Sequence, residues 1–263
     1  MSDLTVSLIQ ANLYWEDKAA NLAMFDQKID SIKERTEVIV LPEMFSTGFS
    51  MQSERLAETM DGSAVQWMKA KAKQKNVIIT GSLIIEENGE YFNRLIWMLP
   101  NGQFGIYNKR HRFGFAGEED HYSAGDKRLI AQVKGWKINL TICYDLRFPV
   151  WSRNNIQENG EPAYDVLINV ANWPERRSTP WKALLQARAI ENQCYMIGVN
   201  RVGNDGNDIY HSGDSSLIDP VGEIIYRKEH EEDVFTYTLS RQHLDDLRAR
   251  FPFMKDADRF MIL

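Results

Sequence analysis

The strongest constraint on the fold is a repeated alternation of short apolar runs with amphipathic helical stretches. Leu4 to Gln10 alternates as a strand. Asp17 is placed to cap a helix reaching about Arg35, with Leu22, Phe25, Ile29 and Ile32 at helical spacing. Val38 to Leu41 is a short buried strand that stops at Pro42, followed by a helix over Ser63 to Lys75 and a strand over Val77 to Leu83. The pattern then changes. Glu87-Asn88-Gly89-Glu90 and Pro100-Asn101-Gly102-Gln103 are turn signals between strand-like runs, which predicts a hairpin or meander. Residues 110–127 lack periodicity and read as a long loop of the kind that is often functional.

Strands resume at Leu129–Val133 and Lys137–Ile142, a helix follows Cys143, and Val166–Val170 is another strand. Trp181–Asn192 reads as a helix, and Cys194–Asn200, Ile209–Ile218, Glu223–Tyr226 and Val234–Thr238 as strands, with a last helix from near Ser240. No repeat or Pro- or Ser-rich linker divides the chain, so a single α/β domain over 1–263 is expected, with a short helix and tail after about 240. Two stacked sheets with helices outside both absorb this many strands.

Composition narrows the partners. The 31 basic and 37 acidic residues leave a net charge of −6, which gives no support for nucleic acid or an anionic membrane surface. No segment approaches the roughly 18 apolar residues of a membrane span, and the N-terminus lacks a signal-peptide pattern. The two cysteines, Cys143 and Cys194, form no CxxC pair and no metal-ligand spacing. A cytoplasmic protein with reduced thiols and no metal is the plain expectation.

Cys143 ends the apolar run Ile138-Asn139-Leu140-Thr141-Ile142 and precedes Tyr144-Asp145-Leu146-Arg147-Phe148-Pro149. A thiol at a strand end, facing turn N–H groups and the start of a helix, is placed for nucleophilic chemistry, although a buried cysteine is more often a small hydrophobe. Cys194 lies inside an apolar strand and reads as core. A nucleophile needs a base. Any of His111, His121, His211, His230 and His243 could serve through the fold, although none has a familiar protease context. Glu43 offers a carboxylate directly after a buried strand, and Lys109 a cation after the strand-like run Phe104 to Asn108. Each alone reads more readily as a solvated residue, Glu43 in a loop and Lys109 in a basic cluster.

Taken together these segments resemble the nitrilase (carbon–nitrogen hydrolase) superfamily. Leu41-Pro42-Glu43, Asn108-Lys109-Arg110-His111 and Cys143 to Pro149 match its three signature segments, in order, and Gln186 to Gln193, Gly213-Asp214-Ser215 and Asp219 to Glu223 add supporting matches. The resemblance covers roughly residues 4 to 240 and implies a four-layer α-β-β-α sandwich, usually dimerised or further assembled. It implies a catalytic triad of Glu43, Lys109 and Cys143, with no metal or organic cofactor. It also implies a second glutamate seven residues before a glycine. Glu118 fits that spacing to Gly125, with Glu119 as its neighbour. In this scheme Glu43 is the base, and Lys109 and the Tyr144 backbone N–H hold the oxyanion.

Glu43 to Phe49 and Asn169 to Pro174 look like the bacterial omega-amidase branch, whose members cleave the terminal amide of 2-oxoglutaramate and 2-oxosuccinamate. On that reading Phe45, Phe49 and Trp173 wall a small pocket, and Arg176 or Arg177 binds the substrate carboxylate. A carbamoyl-amino-acid or aliphatic-amide hydrolase is the alternative. A non-catalytic binding protein of the same fold is a remote one.

Overall fold

The computed structural model describes residues 2–258 and 260–262. The first half contains β1 (Leu4–Gln10), α1 (Lys18–Asp30), β2 (Val38–Val40), α2 (Ser53–Leu56), α3 (Ser63–Lys75), β3 (Ile78–Glu87), β4 (Glu90–Met98), β5 (Phe104–Asn108) and α4 (Glu118–His121). The second contains β6 (Ile130–Val133), β7 (Trp136–Ile142), α5 (Pro149–Ser152), β8 (Val166–Val170), α6 (Ser178–Asn192), β9 (Tyr195–Val199), β10 (Val202–Asn204), β11 (Tyr210–Ile218), β12 (Ile224–Glu229), β13 (Asp233–Leu239) and α7 (Arg241–Arg250).

Two sheets result. One runs β13-β1-β2-β3-β4-β5; the other runs β10-β11-β9-β8-β7-β6, with β12 paired to β11. Each has a parallel trio at its centre, β1-β2-β3 in one and β7-β8-β9 in the other, flanked by antiparallel strands.

Strand alternation assigns the faces. Leu4, Val6, Leu8, Val38 and Val40 join one core with Leu140, Ile142, Val166 and Ile168 of the opposite sheet. Their neighbours Ile9, Ile39 and Leu41 join a second core with Phe25 and Ile29 of α1 and Val65 and Met68 of α3. On the far side Trp181, Leu185 and Ala189, spaced one helical turn apart, bury α6 against the second sheet. The layers are therefore α-β-β-α, as the resemblance implies.

Four local details differ from the sequence expectation. Helix α1 ends at Asp30, not Arg35. Ser31 closes it, its N–H donating to the Gln27 carbonyl at 3.0 Å and its hydroxyl to the Lys28 carbonyl at 2.7 Å. Helix α6 starts at Ser178, ahead of Trp181, because Pro180 is tolerated in a first helical turn whose N–H groups lack partners. The helix expected after Cys143 is a 3-10 turn over Cys143–Arg147 followed by the single turn α5. Phe148 breaks it: a residue before proline is driven out of the helical region, and here φ is −112° and ψ 87°. Finally, the segment 110–127 is not all loop, since it carries a 3-10 turn at Gly114–Ala116 and the short α4. Among the described residues no helix is long and apolar enough to cross a membrane.

Candidate active site

The ends of four strands supply the site. Glu43 lies just beyond β2, Lys109 directly after β5, Cys143 directly after β7, and Asn172 just beyond β8. The first two belong to one sheet and the last two to the other, so the site sits on the seam between sheets. This is the carboxyl-end location expected of ligand sites in α/β sheets.

Buried hydrogen bonds join these groups. Lys109 Nζ donates to Glu43 Oε1 at 2.8 Å and to Glu118 Oε1 and Oε2 at 3.0 and 2.9 Å. Asn93 Nδ2 donates to Glu43 Oε1 at 2.8 Å and to Glu118 Oε1 at 3.3 Å. The Asn172 N–H donates to Glu43 Oε2 at 2.8 Å, while its side-chain amide donates to the Glu43 carbonyl at 2.5 Å. Glu118 takes a further bond from the Phe113 N–H at 2.5 Å. Glu119 is exposed, so Glu118 is the glutamate that reaches the cluster.

Charge follows from this geometry. Burial works against the Lys109 ammonium, but Glu118 and Glu43 outweigh it and hold the group well above the ordinary lysine range. Burial pushes the Glu118 carboxyl up, against the pull of Lys109 and with the push of Glu43. Burial also drives the Cys143 thiol well above its usual value; the Glu43 charge adds to the rise and Lys109 opposes it. A resting thiolate would add a further negative charge to a buried site that already holds two glutamates and one lysine. The thiol therefore waits protonated beside a carboxylate.

The backbone at the site is unusual. Cys143 has φ 44° and Met44, next to Glu43, has φ 42°. Left-handed conformations of non-glycine residues cost on the order of 1–3 kcal/mol each and persist where surrounding contacts over-determine them. At Cys143 those contacts run through Asp145. Its Oδ2 accepts from Ile142 N–H at 3.0 Å and from the Tyr107 hydroxyl at 2.6 Å. Its Oδ1 accepts from His111 N–H at 3.0 Å and lies 2.8 Å from His111 Nδ1. The His111 ring stacks on Phe148 at 3.8 Å. His111 thus braces the turn, and among the described residues no histidine hydrogen-bonds to Cys143.

The thiol opens onto a cavity of about 620 Å³ lined by Phe49, Phe113, Tyr144, Trp173, Arg176 and Arg177, among others. Lys109 Nζ lies over the face of the Phe49 ring, 5.1 Å from its centroid. Arg147, another lining residue, stacks on Trp173 at 5.0 Å, and Arg177 on Phe113 at 5.0 Å. Phe45 is elsewhere: it is fully buried on the helix side of the sheet, 5.5 Å from Phe25 and 5.8 Å from Trp67. Phe45 lies in the turn beyond β2, where it packs into the outer core with Ile39 and Leu41.

Asn93, Asn172, Asp145 and Arg147 are the site residues that sequence reasoning did not single out. Asn93 had only a weak signal, a polar residue beside Arg94 between Phe92 and Leu95 of β4. Asp145, Arg147 and Asn172 stood inside segments already recognised. Among the described residues no cluster of His, Cys, Asp and Glu is arranged to hold a metal ion.

Residues 5–249 match the family model for carbon-nitrogen hydrolases. The chain is 45% identical over 263 residues to omega-amidase YafV of Escherichia coli (strain K12), covering 100% of both. It is 31% identical over 255 residues to the 2-oxoglutaramate amidase of Bacillus subtilis (strain 168), covering 96% of each. Its fold matches the crystal structure of XC1258 from Xanthomonas campestris, a CN-hydrolase superfamily protein with an arsenic adduct in the active site. That match has a TM-score of 0.98 and 42% identity over 100% of both chains. A thiol, a carboxylate and an ammonium meeting at the seam of two sheets thus recur in a chain whose full length aligns with amidases, and the chain belongs to the carbon–nitrogen hydrolase family.

Proposed function

We propose that this protein is a cysteine-dependent amidohydrolase that releases ammonia from the terminal amide of small dicarboxylate monoamides such as 2-oxoglutaramate and 2-oxosuccinamate. The observation that carries the reading is the buried Glu43–Lys109–Cys143 cluster opening onto a cavity rimmed by arginines. Among the described residues Arg147, Arg176 and Arg177 form no ion pair with a carboxylate. Burial, with repulsion from Arg176 and Arg147, holds Arg177 below the usual arginine range. An acid substrate relieves that repulsion and matches the guanidinium geometry. The amidases of Escherichia coli and Bacillus subtilis named above support the same substrate class.

In the mechanism, Cys143 Sγ attacks the amide carbonyl as its proton passes to Glu43. Negative charge moves from the carboxylate to the substrate oxygen, which the Lys109 ammonium and the Tyr144 N–H stabilise. Ammonia leaves with the proton from Glu43 and a thioester remains. Water then gives a proton to Glu43 and attacks the thioester, with Glu118 helping to position it; the C–S bond breaks, the acid leaves and Glu43 returns the proton to Cys143 Sγ. A single domain, the cytoplasm as location and a homodimer or larger assembly belong to the same reading.

Ammonia release from 2-oxoglutaramate, 2-oxosuccinamate, N-carbamoyl-β-alanine, glutamine and a simple nitrile, measured side by side, tests the substrate class. The two oxo-acids are expected to turn over fastest, and activity confined to the carbamoyl compound would move the assignment to a carbamoylase. Cys143→Ala and Cys143→Ser are expected to keep the fold and lose turnover. Ordinary ammonia release by Cys143→Ala would overturn the mechanism.

A further inference from the structure

Asn93 touches both glutamates and the lysine of the cluster. Its Nδ2 reaches Glu43 Oε1 and Glu118 Oε1, and its backbone carbonyl accepts from Lys109 N–H at 2.9 Å. The side chain is almost wholly buried, at 1% exposure. Two carboxylate oxygens facing one amide fix its orientation, since only the NH₂ end can donate to both. Asn93 Oδ1 has no hydrogen-bond partner among the described residues, so the carboxylates and not the amide oxygen set that orientation. The two oxygens of Glu43 are then unequal. Oε1 accepts from Lys109 and Asn93, which fills its two acceptor directions, whereas among the described residues Oε2 accepts only from Asn172 N–H.

We propose that Asn93 is a positioning residue that saturates Glu43 Oε1 and leaves Oε2 as the oxygen that takes the Cys143 proton, while sharing its second N–H with Glu118 so that both carboxylates stay ionised together. The inference rests on Glu43 being the base. The titratable groups facing the carboxylate pair are Lys109 from the end of β5, Cys143 from the end of β7, and Tyr122 after α4. Of these only Lys109 is cationic, so Asn93 supplies the remaining side-chain donor between two like charges.

Removing that donor favours protonation of the pair. For Asn93→Ala the acidic limb of the kcat/KM profile is expected to move to higher pH by about one unit. At pH 7 kcat is expected to fall at least about tenfold, with KM within about twofold, because the arginine rim is untouched. Asn93→Asp is nearly isosteric, puts a third carboxylate against the pair, and is expected to lose more activity at pH 7 than Asn93→Ala. It also serves if Asn93→Ala does not fold, which a thermal melt reports. A wild-type acidic limb in folded Asn93→Ala, or near wild-type turnover by Asn93→Asp, overturns the role of Asn93. Glu43→Gln separates the two readings. If it retains turnover, the base assignment itself is wrong; if it is inactive while Asn93→Ala keeps the wild-type limb, only the positioning role fails.

Discussion

At the residue scale, the arginine rim and the braced turn make separable demands. Arg177→Met removes a half-buried guanidinium that stacks on Phe113 and has no carboxylate partner. KM for 2-oxoglutaramate should rise at least about tenfold, with a smaller change in kcat, since the lost contact is to the acid end. An unchanged KM would point to Arg147 or Arg176 as the carboxylate ligand. Asp145→Ala leaves four donor contacts without an acceptor, from Ile142, Tyr107 and His111. It should cost at least about 2 kcal/mol in urea unfolding. Glu43, Lys109 and Cys143 were legible because each sits in a short segment of recognisable order, and Glu118 because of its spacing to Gly125. Asn93 and Asn172 were not, because their partner Glu43 is 50 and 129 residues away and only the folded sheets bring them together.

At the element scale, the loop that delivers Glu118 is pinned at Gly125. Its N–H donates to the Lys109 carbonyl at 2.9 Å, and a Cβ there would lie 2.1 Å from the Asn108 carbonyl oxygen. Backbone would meet backbone, so Gly125→Ala must push β5 and Lys109 away from Glu118. Turnover should fall at least about tenfold, given how steeply rate depends on placement. Gly89→Ala is the control: it sits in the hairpin between β3 and β4 at φ +81° with open space around it. It should cost about 1 kcal/mol of stability and leave kcat alone. Gly125 also gives a steric meaning to the spacing that pointed to Glu118. Periodicity located most strands, but it overran α1 and overstated the helix after Cys143, where Ser31 and the Phe148–Pro149 pair decide the end points. Those stops depend on single side chains, which a hydrophobic period does not register.

For the whole molecule, alkaline pH should be the weak side. Burial raises Cys143, Tyr107 and Tyr164 well above their ordinary values and lifts Cys194 to about 12. Each is an acid whose folded form holds its proton more tightly than the unfolded chain. That stability is fully present below the unfolded values of 9.0 and 10.0, and it is lost as pH climbs from there toward the folded ones. Thermal melts should therefore fall steadily between about pH 9 and 11, and a flat Tm over that range would contradict the burial of these groups. The four-layer architecture was legible through the family resemblance, with which the alternating strands and helices agree; which sheet each strand joins was not, since pairing partners lie far apart in sequence. Because Glu43 and Lys109 ride on one sheet and Cys143 and Asn172 on the other, the protein has no reaction centre unless both sheets are docked in register. Catalysis is thus a gauge of sheet-to-sheet alignment. In rising urea, ammonia release should vanish before the far-UV signal of the strands does, and enzymatic turnover becomes the most sensitive available reporter of slippage between the two halves.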